Sequence, residues 1–235
     1  MPEPHSELGT RKPELDLAPL PRSVFAPTAE VVAPRLLGHL LIRNTPSGPC
    51  GGYIVETEAY LQNDPACHAF RGQTARNGAM YGPPGHAYVY FIYGNHYCVN
   101  AVCQPAGCGE AVLIRAIEVT YGEDLMRAHR PVDAVHQLTN GPGKLCAALH
   151  IDRRLDGVDL TDPRSPLFIA CNAARARFLR QHGPIASAPR VGITAAAHLP
   201  LRFFLAGNPF VSRRSSGAAT TAANRGRRQF IKSTR

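Results

Sequence analysis

The sequence predicts a single-domain α+β fold: a mixed, mainly antiparallel sheet with surrounding helices and one protruding β-hairpin. Three observations carry this. Strand-like runs outnumber helical ones, and they do not alternate with helices as a doubly wound parallel sheet requires. Residues 87–93 (AYVYFIY) and 97–102 flank Gly94-Asn95, a pairing that marks a tight hairpin. The patterned sequence lies in one stretch with no internal repeat.

In chain order, Thr28 is placed to cap a helix over 28–37, ended by Gly38 and disturbed by Pro34. A strand follows at 39–43, a turn at Pro46-Ser47-Gly48-Pro49, and a second strand at 52–60. The hairpin strands are rich in β-branched and aromatic residues, and 110–117 adds another strand. Helical patterns appear at 122–130 and 144–149, with strands at 167–170 and 201–205.

At 235 residues, 44% hydrophobic and 18% charged, the chain is long enough and apolar enough to bury a core. No apolar run is long enough for a transmembrane helix, and the first 25 residues lack the apolar core of a secretory signal. These features predict a bacterial cytoplasmic setting and no membrane partner. Three zones are expected: a Pro-rich flexible leader at 1–22, a body at 23–212, and a basic disordered tail at 213–235. The net charge of +9 is mostly that tail, since Arg213, Arg214, Arg225, Arg227, Arg228, Lys232 and Arg235 leave the rest near +2. Basicity alone therefore identifies no partner. The seven cysteines are an odd number in a chain without an export signal, so reduced thiols are expected. His96, Cys98, Cys103 and Cys108 cluster, but without a C-x-x-C, and read better as small buried residues than as a metal site.

The chemistry concentrates between Glu56 and Arg115. Strand alternation puts Glu56, Glu58 and Tyr60 on one face, either a solvated face or a site that activates water beside a stacked planar ligand. His68 follows on a loop able to reach back to that strand. In the hairpin, Tyr88 and Tyr90 share one face, and Tyr93 stands beside the tip on the other. Tyr93 either packs over its own hairpin or inserts between stacked bases, as wedge residues do in DNA-bending proteins. With Tyr90 opposite, one ring would grip an extruded base while the other fills the gap. Asn100 and Arg115 on the next strands line the same cleft in this reading. An amide tests a base edge with both a donor and an acceptor, and Arg holds phosphate or orients water.

The segments YIVETEAY (53–60), HAFRGQTARNGAMYGPPGHAYVYFIYGNHYCVN (68–100), AVLIRAIE (111–118), NGPGKLCAALHI (140–151), PRVGI (189–193) and LRFFLAGNPFVS (201–212) resemble, in order, the alkyladenine family of DNA-3-methyladenine glycosylases. The resemblance spans roughly 28–212. It implies a mixed α/β domain whose hairpin enters DNA, and a monofunctional base-excision repair enzyme. Such an enzyme hydrolyses the N-glycosidic bond of alkylated or deaminated purines after flipping them out. By residue, it implies Glu58 as general base and Arg115 as its partner in placing water. Tyr60, His68 and Tyr90 would enclose the purine, Asn100 would crowd the amino group of normal guanine, and Tyr93 would be the wedge. Ile193 would supply a backbone carbonyl near the water. Asn95 and His96 depart from the pattern, since many relatives carry larger apolar residues beside the wedge.

Alternation does not choose between Glu56 and Glu58; the resemblance chooses Glu58 and leaves Glu56 a supporting role. Schiff-base lyase chemistry needs an amine near C1′, and Lys144 is the body's only lysine. Its Gly141-Pro142-Gly143-Lys144 context reads as a turn, because Leu145 stands where a phosphate loop needs Ser or Thr. No H-E-x-x-H occurs. The expected protein is a monomer acting on double-stranded DNA that contains damaged purines, with no metal and no cofactor. Two other classes remain: a catalytically idle damage-binding module using the same tyrosines, and a Cys/His metal protein built on residues 96–108.

Overall fold

A long, irregular second strand organises the molecule. The structure, a computed structural model, describes residues 17–212 together with 220–221. Strand β1 (Leu40–Thr45) turns at Pro46-Ser47 into β2 (Gly48–Tyr60), and β3 (Ala87–Ile92), β4 (His96–Cys103) and β5 (Glu110–Tyr121) form a meander. Then come β6 (Leu167–Ala170), β7 (Ile185–Ala188), β8 (Arg202–Leu205) and β9 (Thr220–Thr221). All pair antiparallel in one sheet of order β3-β4-β5-β2-β8-β7-β9, with β1 joining β2 to β6.

One edge of β2 runs along β5, while its other edge is shared, first by β1 at 48–53 and then by β8 at 56–58. Register shifts at Gly51/Gly52, Ile54/Glu56 and Glu56/Thr57 mark the change of neighbour. Such bulges bend a strand and increase its twist, so the sheet curls where the two glutamates sit. Gly52 permits the close approach, because a Cβ there would lie 1.8 Å from the Glu118 carbonyl oxygen.

Helices α1 (Ala29–Leu36), α2 (Glu123–His129), α3 (Pro142–Ala148) and α4 (Arg175–Gln181) surround the sheet. Helix α1 buries Ala29, Val32, Ala33 and Leu36, the spacing of a single apolar stripe. With α3 it covers Val55, Ala59, Val89, Val99, Ala101, Ile114 and Ala116 in the main core. Pro34 stays inside α1, two residues before its end. Helix-end carbonyls find side-chain donors instead: Thr57 Oγ1 donates to Ala33 O (2.9 Å), and Arg175 donates to Pro34 O (3.2 Å) and Leu37 O (2.7 Å). Thr28 occupies the N-cap position, but its side chain makes no capping bond.

The single-domain α+β expectation holds, but the sheet is antiparallel at every pairing among the described residues rather than mixed, and there are local differences. Strand β2 begins four residues earlier than expected, and β5 runs four residues further. The hairpin closes with three residues rather than Gly94-Asn95 alone, because Ile92 pairs with His96, and both Tyr93 (φ 54°) and Gly94 (φ 72°) are left-handed. Helix α4 and strand β7 were not anticipated, since RARFLRQ and IASA are short and weakly patterned. The expected tail falls outside the described residues except for β9, and the leader is described only from residue 17. There Leu20 N donates to Ile169 O and Ala18 O accepts from Cys171 N, so this stretch packs against β6.

Candidate active site

Tyr88, Asn100, Leu113, Glu58 and Arg202 form one row across β3, β4, β5, β2 and β8, each opposite the next. Opposite residues share a face, so the topology gathers the aromatic, amide, carboxylate and guanidinium groups on the side away from α1. Arg115, two residues from Leu113, joins the same face. The row lies along a cavity of about 350 Å³, lined among others by Tyr60, His68, Tyr88, Tyr90, Asn100, Leu113, Arg115 and Ile193. That volume is within the range of small-molecule sites. Tyr60, His68, Tyr90, Tyr93, Asn100, Arg115 and Ile193, all expected at the site, line it, whereas Glu56 and Glu58 are fully buried behind that wall.

Glu58 is held by groups of the cavity wall. Tyr60 donates its hydroxyl to Oε2 (2.9 Å), the Val191 amide donates to Oε1 (2.8 Å), and Arg115 Nη1 lies 3.4 Å from Oε2. Burial, followed by the Glu58 charge, raises the Tyr60 pKa strongly, so Tyr60 stays a donor. Burial alone would lower the Arg115 pKa, but the Glu58 and Glu56 carboxylates outweigh it and raise it.

Glu56 belongs to a second, wholly buried layer. Its Oε1 accepts from Arg202 Nε (2.6 Å), Arg115 Nε (3.2 Å) and Ser212 Oγ (2.8 Å), and its Oε2 from the Ser212 amide (2.7 Å). The two glutamates share a face, as alternation requires, yet their surroundings differ. Glu56 accepts four hydrogen bonds from Arg202, Arg115 and Ser212, whereas Glu58 is held directly by Tyr60, Arg115 and the Val191 amide, all residues of the cavity lining.

The aromatic wall is equally constrained. His68 Nδ1 lies 2.8 Å from the Tyr88 hydroxyl, and its ring meets Tyr90 edge-on at 4.5 Å between centroids. Burial first, then Arg76, lowers the His68 pKa, so the ring is neutral at pH 7. Asn77 holds the His68 loop, donating to His68 O (2.9 Å) and Gly72 O (3.1 Å). Asn100 Nδ2 donates to Tyr88 O at 2.9 Å.

Tyr93 corrects the alternation reading. Its left-handed backbone departs from strand geometry, and it lines the same cavity as Tyr90, which strict alternation would not allow. It is 75% exposed, the most exposed large hydrophobic side chain among the described residues. Across the cavity mouth, His96 packs on Gly143, where a Cβ would lie 2.9 Å from the imidazole. Lys144 also lines the mouth, its Nζ donating to Asn140 Oδ1 (2.8 Å), so the body's only lysine does stand at the cavity.

Sequence reasoning missed Asp64, Arg190, Arg202, Ser212 and the Val191 amide. One signal was available: Arg202 sits inside the apolar strand LRFFL, and a buried arginine needs a carboxylate. Among the described residues, no group of three or more His, Cys, Asp or Glu is placed to hold a metal ion, and no helix is long and apolar enough to cross a membrane.

A carboxylate behind an aromatic-lined cavity, with an exposed ring at its rim, makes a site of a size and chemistry that suit one small planar ring. Comparison with known proteins agrees: residues 23–209 match the family described as methylpurine-DNA glycosylase (MPG), and the chain belongs to it. A Methanoculleus marisnigri protein is 48% identical over 195 residues, covering 83% of this chain and 99% of its own. A Rhizobium meliloti protein is 49% identical over 190 residues, covering 81% and 94%. A Carboxydothermus hydrogenoformans protein is 44% identical over 200 residues, covering 83% and 99%. All three are provisionally named 3-methyladenine DNA glycosylases. The protein is thus a DNA glycosylase of the 3-methyladenine type, a hydrolase of the N-glycosyl bond in DNA repair.

Proposed function

We propose that the enzyme excises alkylated or deaminated purines, of the 3-methyladenine, 7-methylguanine and hypoxanthine type, by a monofunctional hydrolytic route in base-excision repair. The observation that carries this is Glu58, buried against the aromatic cavity and held by Tyr60, Arg115 and the Val191 amide. In this reading a damaged nucleotide of double-stranded DNA rotates into the cavity, where Tyr60, His68 and Tyr90 enclose the purine. Asn100 crowds the amino group of normal guanine. Tyr93 occupies the vacated place in the stack, a contact worth about 1–3 kcal/mol.

Glu58 removes a proton from water as the water oxygen bonds to C1′. The glycosidic bond breaks, its electron pair leaves with the purine nitrogen, and an abasic sugar remains. Arg115 positions the water, and the Glu58 charge stabilises the cationic sugar as it develops. Ile193 stands in the lining where its carbonyl would face the same water. The enzyme acts as a monomer in the bacterial cytoplasm, without a metal or cofactor.

Lys144 at the mouth makes strand integrity the informative measurement. Duplexes carrying 3-methyladenine, 7-methylguanine or hypoxanthine are incubated with enzyme, and free base and strand breaks are measured before and after alkali. Free base with strands broken only by alkali is expected. Breaks before alkali would mean lyase chemistry, and tight binding without release would leave a damage-binding module.

A further inference from the structure

Behind Tyr60 lies a cation that the excision chemistry does not use. The Arg190 side chain is wholly buried and does not line the cavity. Its guanidinium carbon lies 4.7 Å from the centroid of the Tyr60 ring. Arg190 Nη1 donates to Ala59 O (2.9 Å) and pairs with Asp64 Oδ2, while its Nε and Nη2 find no hydrogen-bond partner among the described residues. Asp64 is fixed in turn by the Ala66 amide donating to its Oδ1 (2.9 Å). Tyr60 therefore has the cavity on one side and a desolvated positive charge on another.

An aromatic ring attracts cations through the negative potential of its faces. A cation already held against the ring draws on that potential and repels a second cation brought to the ring from the cavity. A neutral purine loses little by this, whereas a purine that carries a positive charge, as N7- or N3-alkylated bases do, loses attraction. His68, neutral, does not alter the balance.

We infer that Arg190 is a specificity-determining residue, which through Tyr60 biases the pocket away from cationic purines and toward neutral, deaminated ones. Asp64 tempers the bias by pairing with Arg190. This inference rests on the proposed base-excision reading.

The test is a ratio within each protein: single-turnover release of 7-methylguanine, which is cationic, over release of hypoxanthine, which is neutral. Loss of active protein cancels in the ratio, so a destabilised variant remains informative. Arg190→Met is expected to raise the ratio roughly two- to tenfold, the range of a cation–π contact. Arg190→Lys keeps the charge and is expected to stay near wild type. Asp64→Asn removes the tempering carboxylate and is expected to lower the ratio, the opposite sign. An unchanged ratio in Arg190→Met, with both rates falling together, would overturn the inference and leave Arg190 a packing residue. So would shifts of the same sign in Arg190→Met and Asp64→Asn. Release of neither base by the wild type overturns the parent reading before any variant is made.

Discussion

The two faces of the central strands are built from alternate residues of the same segments, yet they obey opposite rules. Toward α1 and α3 stand Val55, Ala59, Val89, Val99, Ala101, Ile114 and Ala116, alkyl groups that only exclude water. Toward the cavity stand Glu58, Tyr88, Tyr90, Asn100, Leu113 and Arg115. The first face stabilises the fold by apolar burial, about 25 cal/mol per Å² removed from water. The second buries Glu56, Glu58, Arg115 and Arg202, charges whose desolvation opposes folding unless every one is paired. Strand alternation thus lets one short segment hold the fold on one side and the chemistry on the other. The chemical side depends on the packed side for its rigidity.

Substitutions on the two faces should separate accordingly. The largest stability effect is expected at Glu56→Ala, which strips the shared carboxylate from Arg115, Arg202 and Ser212. Breaking a buried charge network of this kind costs about 3–5 kcal/mol, and base release should fall as Arg115 loses its anchor. Denaturant unfolding checks this, and an unchanged midpoint would break the comparison.

On the packed face, Ile114→Ala should cost about 2–4 kcal/mol. Base release per folded molecule should stay near wild type, measured at a temperature where both proteins are folded. Tyr93→Ala sharpens the contrast from the other side. An exposed residue should change stability by no more than about 0.5 kcal/mol. Affinity for duplex containing a damaged or abasic site should weaken by about 1–3 kcal/mol, read by titration at fixed salt.

The smallest effect concerns acid. His39 accepts a hydrogen bond at Nδ1 from the Asn172 amide (3.2 Å), and burial first, then Arg175, lowers its pKa from 6.5 to about 4. The folded state resists protonation that the unfolded chain accepts. His39 therefore contributes stability that is complete above pH 6.5 and is lost as pH falls toward 4. For a partly exposed ring the loss is on the order of 1–2 kcal/mol. Unfolding midpoints of wild type and His39→Gln across pH 4 to 7 should converge at the acid end. Parallel curves would assign the acid sensitivity elsewhere.

Much of this arrangement was legible in the residues. The hairpin, the glutamate strand and β5 carry strong β patterning, and the shared face of Glu56, Glu58 and Tyr60 follows from alternation and is found. What alternation could not show was which glutamate is held by residues of the cavity lining and which by an inner network, since that depends on β8 bringing Arg202, and the chain after it bringing Ser212, to Glu56. Those contacts join residues far apart in sequence. Tyr93 was placed on the wrong side because its left-handed φ is a property of the closed three-residue turn, and YGN alone reads as a shorter one. Arg190 and Asp64 lie on loops without periodicity, so nothing local announces that they meet under Tyr60.

The central claim is that Glu58, alone of the two buried glutamates, performs the chemistry. It is tested most directly by Glu58→Gln, with single-turnover base release, duplex binding and thermal unfolding measured on one preparation. The account predicts a folded protein that still binds damaged duplex and releases base about 10²–10⁴-fold more slowly. Release near the wild-type rate would contradict it and move the search for the base to another group on the cavity wall.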